Sequence, residues 1–102
     1  MNTLNKLMHE VTIKAYENAE DWMKSDVSVS SQLRDGIQAA REFFTKIDSR
    51  IQDENSLLNL MQQQLEKVLS YYRQLPGDLG QWECSALNII SRDIQNRINK
   101  LN

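Results

Sequence analysis

Few residues in this chain could do chemistry, and their spacing does not assemble a reactive site. The single histidine, His9, has no glutamate three residues before it, a spacing at which one helix offers two ligands to a metal. It reads as a surface histidine, since protein metal sites draw on several ligands held together. The single cysteine, Cys84, falls in the first turns of the last predicted helix, where the helix dipole would favour a thiolate. The simpler reading is a partly buried, small apolar residue. Paired carboxylates occur at Glu20-Asp21 and Asp53-Glu54, but adjacent residues on a helix point apart and cannot share a proton or a cation. No glycine-rich phosphate loop and no zinc-protease pattern is present. The expectation is a non-enzymatic protein without metal or cofactor.

The elements that would carry these residues are all helices. Three glycines and one proline in 102 residues leave few places to turn. Alternating steps of four and three from Leu33 to Leu75 trace a heptad seam whose a positions are Ile37, Phe44, Ile51, Leu58, Leu65 and Tyr72. Glu54 is the only charged member of the seam, and the opposite face is polar throughout. Before it, Leu4, Met8, Val11, Ala15 and Trp22 mark a first helix over about 3–24 with Asn2 or Thr3 as its cap. Ser25 to Ser31 reads as a connector, with Ser28 or Ser30 capping the next helix. Leu75-Pro76-Gly77-Asp78 is a turn in which proline fixes one φ and glycine supplies a positive one. Asp78 and Gln81 have capping-box spacing, so a last helix is predicted over about 79–101, with Leu79, Leu87, Ile90, Ile94 and Leu101 on its buried face.

One decision governs the architecture. The heptad phase runs unshifted through Gln52-Asp53-Glu54-Asn55-Ser56 with no glycine or proline, which predicts one central helix over about 30–75, roughly 70 Å long. Two shorter helices would fold back along its halves, and an antiparallel homodimer would close each half as a four-helix bundle with Glu54 near the two-fold axis. The alternative is a break at 52–56 and a closed up-down bundle of four segments within one chain. In both, residues 1–102 are a single helical domain. Gly36, near the start of the seam, reads as a tolerated glycine rather than a point of close approach.

Charge narrows the partners. Twelve basic against fourteen acidic residues leave a net of −2, which does not favour nucleic acid or an anionic membrane surface. Arg92, Arg97 and Lys100 give the last helix a basic end, read as a solvated face that complements the helix dipole. There is no long apolar run and no leader-like N-terminus, and one cysteine permits no internal disulfide, so a cytoplasmic setting is expected. The residues off or at the edge of their stripes, Ile13, Tyr16, Leu60, Tyr71, Trp82 and Ile89, are the candidate partner-binding set, since apolar and aromatic side chains anchor protein interfaces. The functional expectation is a small regulator or chaperone of bacterial or phage type that binds another protein through a helical surface, in an inhibitor, antirepressor-like or escort role. The alternative is a structural helical subunit of a secretion or phage assembly.

Overall fold

In the computed structural model, which describes residues 2–101, the chain forms α1 (Thr3–Glu17), α2 (Asp21–Ser25), α3 (Val27–Phe44), α4 (Glu54–Arg73) and α5 (Gln81–Leu101). There is no strand among the described residues. The helices pack as a bundle with extents of 38 × 27 × 24 Å, too short for a 70 Å helix. The expected continuous helix over 30–75 is therefore corrected: it is broken, and the break spans 45–53 rather than 52–56.

Local chemistry and burial explain where the break falls. Thr45 closes α3, and the turn that follows is held by Asp48, whose carboxylate accepts from the Arg50 backbone N–H at 2.9 Å and from the Arg50 guanidinium. Asp53 caps α4 by accepting from the Ser56 backbone N–H at 2.9 Å. Between them Ile47 is buried and Ile51 half-buried against the main core, so the connection is pinned from inside. A straight helix would have left half of its apolar seam without a cover; folding back lets both halves face the same interior. Phe44, Leu58 and Leu65 of the seam are fully buried, and Ile37, Ile51 and Tyr72 are half-buried. Each fully buried large apolar side chain contributes about 1.5–3 kcal/mol. Glu54 is no seam residue. It is exposed in the first turn of α4, where its charge suits the helix dipole.

The other boundaries also move for identifiable reasons. Asn2 caps α1 as expected, accepting from the Asn5 N–H at 2.8 Å. The first helix ends at Glu17 instead of running to residue 24, because Asn18 forms its C-cap and Glu20 adopts extended backbone before the short α2. The serine-rich stretch expected as a connector is helical from Val27. Its cap is Asp26, which accepts from Val29 N–H at 3.0 Å, not Ser28 or Ser30. Burial of Val29 in a second cluster with Ala19, Met23, Leu33 and Ala86 overrides the extended preference of the β-branched residues. The predicted turn at Pro76-Gly77 is present, with Gly77 at φ 62°. The last helix begins at Gln81 rather than Leu79 because Gly80, at φ 81°, takes a left-handed conformation.

Side-chain contacts give the directions. Arg34 Nη2 donates to Tyr16 Oη at 3.3 Å, and Thr3 Oγ1 donates to Gln52 Oε1 at 3.0 Å, so α1 runs antiparallel to α3. Glu10 of α1 pairs with Arg97 late in α5, while Trp22 meets Trp82 at the start of α5, so α1 and α5 are antiparallel. Consequently α3 and α5 run the same way, and they touch at their backbones. A Cβ placed on Gly36 would lie 2.8 Å from the Glu83 carbonyl oxygen and 2.9 Å from its Cα. The reading of Gly36 as merely tolerated is thus corrected: only glycine admits this crossing.

Two measurements check these points. Gly36→Ala gains about 1 kcal/mol of helix propensity, yet should lower stability by about 1–3 kcal/mol because rigid backbone must shift; a rise in chemical-denaturation midpoint would refute the close crossing. Glu54→Leu should cost about 0.3–1 kcal/mol through the lost dipole interaction, whereas clear stabilisation would point to a buried seam position.

Candidate protein-interaction surfaces

The antiparallel arrangement gathers one end of α1, all of α2, the start of α3, the end of α4 and the start of α5 at the same end of the bundle. That end carries four large apolar side chains that stay mostly in solvent: Trp22 at 52% exposure, Val27 at 85%, Tyr71 at 62% and Leu79 at 64%. Trp22 stands edge-on to the half-buried Trp82 with ring centroids 5.5 Å apart, and its indole N–H donates to the Glu20 carboxylate. Tyr71 stands edge-on to Tyr72 at 5.1 Å. Such pairs fix ring orientation, so these aromatics present defined faces. Burial raises the Tyr72 hydroxyl pKa, with Glu83 and Asp35 adding to the effect, so the phenol stays neutral.

The six residues expected to bind a partner do not form one surface. Ile13 is exposed and Tyr16 half-buried, and both line a hollow of about 290 Å³ between α1 and α3 that includes Ile37, Arg34 and Arg41. The Arg34 guanidinium lies 5.4 Å from the centre of the Tyr16 ring, which holds the ring against α3. Tyr71 and Trp82 belong to the aromatic end. Leu60 is half-buried against the main core, and Ile89 is half-buried against both clusters, so neither is a free apolar side chain. Conversely, Trp22, Leu79 and Leu101, expected within buried stripes, are exposed. Trp22 escapes because the first helix ends before it, and Leu79 because the last begins after it. The signals for this in the sequence are Asn18 and Gly80, the two residues that move those boundaries.

A second feature runs along α1 and α5. A groove of about 790 Å³ has Lys14, Glu17 and Asn18 on its α1 wall and Arg92, Asp93, Asn96 and Lys100 on its α5 wall, with Ile89 its one apolar residue. It continues into a hollow of about 260 Å³ that shares Asn18, Ile89 and Arg92 and reaches Ala19, Met23 and Asn88. Arg97 ties the walls together. It donates to Glu10 Oε1 at 2.7 Å and to Asp93 Oδ1 at 3.2 Å. Burial works against the Arg97 charge, but these two carboxylates outweigh it and raise its pKa above the ordinary value. The Arg97 hydrogen bond in turn holds the Glu10 carboxyl below its ordinary range. Asp93 Oδ2 is buried without a hydrogen-bond partner.

Cys84 is half-buried, and burial pushes its thiol pKa up, opposite to the activation that a helix start could have supplied. His9 is exposed. Among the described residues no group of three or more His, Cys, Asp or Glu is placed to hold a metal ion, and no helix is long and apolar enough to cross a membrane. Compared with protein-family models, curated proteins and solved structures, the chain shows no match.

The Glu10–Arg97 pair gives a pH prediction. A depressed native carboxyl pKa stabilises the fold above the ordinary glutamate value of 4.5 and loses that contribution as pH falls through the native value. Glu10→Gln should therefore be less stable than the parent at pH about 7. The gap should close toward pH about 3, followed as urea midpoints; a gap constant with pH would exclude the ion pair as its source.

Proposed function

We infer that this chain is a non-enzymatic protein-binding module, a small regulator or escort of bacterial or phage type, that engages its partner through the aromatic end of the bundle. One observation carries the reading: Trp22, Val27, Tyr71 and Leu79 are more than half exposed at one end of a molecule whose other large apolar side chains are mostly inside. Exposed aromatics with fixed orientation are the residues from which interface hot spots are made, because they bring large contact area and lose little side-chain entropy on binding. A gathered set of this kind is more informative than the same residues scattered singly.

The expected homodimer rests on an uninterrupted central helix whose seam needs a second copy to cover it. With α3 and α4 folded onto the same core, the seam is covered within one chain and that reason for self-association is gone. The aromatic end is therefore assigned to a different protein, acting in a cytoplasmic setting.

The test is native mass spectrometry of the tagged chain recovered from its own host, beside a Trp22→Ser, Leu79→Ser double variant. Both side chains are more than half exposed, so the variant should melt within a few degrees of the parent. The parent should carry one other protein in fixed stoichiometry and the variant should lose it. A bare chain in both samples would refute the reading, and a homopolymer would support a structural assembly subunit instead.

A further inference from the structure

We propose that the aromatic end takes a cationic segment of its partner protein, with an arginine seated on the Trp22 ring and apolar side chains beside it on Val27 and Leu79. The proposal rests on the reading of that end as the partner site and adds the chemistry that the partner must bring.

The exposed apolar side chains here are interleaved with acids. Asp21 precedes Trp22, Asp26 precedes Val27 and Asp78 precedes Leu79. Glu17, Glu20, Asp26, Asp35, Asp78 and Glu83 have no cation within ion-pair distance among the described residues. The cations at this end, Lys24 and Arg73, are already paired with Asp21 and Glu66. Elsewhere only Glu42, Asp53 and Glu54 are carboxylates without such a pair. With Asp21 the end holds seven carboxylates against four cations, even when Arg34 and Arg92 of the adjoining hollows are counted in. The whole chain has 14 acidic against 12 basic residues, so the rest of the molecule carries none of the negative excess.

The rings select the same sign of charge. The face of an aromatic ring is the negative pole of its quadrupole and attracts cations, an indole most strongly. Trp22 and Tyr71 are both more than half exposed, and the Trp22 indole N–H holds the Glu20 carboxylate at the rim of its ring. A guanidinium can stack on a ring and donate to a neighbouring carboxylate at once, which makes arginine the best fit. Nucleic acid and anionic membrane surfaces are turned away by these carboxylates.

Fluorescence anisotropy tests the assignment on the full chain. The probe is a labelled peptide of about sixteen residues with arginines interleaved among leucines; the control replaces each arginine with citrulline, which keeps the shape and removes the charge. The arginine peptide should bind saturably and weaken with added salt. The citrulline peptide should bind about tenfold more weakly. Glu20→Gln, Asp78→Asn should weaken the arginine peptide about fivefold, and Glu20→Lys, Asp78→Lys more than that. Both positions are exposed, and Asp26 is left in place because it caps α3; circular dichroism checks that the variants keep their helix content. No saturable binding, equal affinity for the citrulline peptide, no effect of either charge variant, or undiminished binding to Trp22→Ser, Leu79→Ser would each overturn the proposal. The two readings fail separately. A natural partner lost by Trp22→Ser, Leu79→Ser but kept by Glu20→Lys, Asp78→Lys would leave the aromatic end as the site and overturn the cationic partner, whereas a partner kept by both variants would overturn both.

Discussion

The backbone contact between α3 and α5 at Gly36 and Glu83 is the constraint that sets the remaining geometry. In a regular four-helix arrangement the two helices that run the same way lie across the diagonal, separated by side chains. Here a glycine on α3 lets the backbone of α5 come within contact distance, so the diagonal closes. Leu33 and Ile37 on one side of the crossing, and Ala86 and Ile89 on the other, can then share a cluster with Met23 of α2 and Ala19 in the connection before it. Trp82 is carried into reach of Trp22 by the same approach. Gly80, a turn before Glu83, acts in a similar way: a Cβ there would meet the Tyr72 carbonyl oxygen at 3.0 Å, so the α4–α5 turn lies flat on the end of α4.

With α3 and α5 this close, α1 cannot pack equally against every neighbour. Leu4, Leu7, Val11 and Ala15 hold it in the main core, and at Glu10 a polar bridge, Glu10–Arg97–Asp93, ties it to α5 with the groove beside it. The bridge is partly buried and hydrogen-bonded at both ends, the setting in which an ion pair fixes geometry more than it adds stability.

The break at 45–53 shows how a periodic sequence can mislead about length. Both halves of the seam keep heptad phase because each must present one apolar face to an interior, and nothing in the period states whether the two interiors are the same. Asp48 and Asp53 each supply a local acceptor for backbone N–H groups, and that is sufficient to end and restart the helix once folding back buries both faces. Trp22 and Leu79 depart from expectation for the same kind of reason: a stripe extended across a helix end places its last members inside when they have already left the helix.

Several features are legible in residue order alone: the chain is helical, Phe44, Leu58, Leu65, Leu87, Ile90 and Ile94 are interior, Asn2 caps the first helix, and Pro76-Gly77 reverses the chain. These follow from short-range rules of periodicity, capping and turn chemistry, which act over a few residues and are written in residue type. Others exist only once the helices have packed. The two halves of the seam share one core, Gly36 meets Glu83, and Trp22, Tyr71 and Leu79 come to the same end while Lys14 faces Arg92 across a groove. Each of those depends on which helices are neighbours, and that choice rests on the summed burial of all five helices rather than on any local signal.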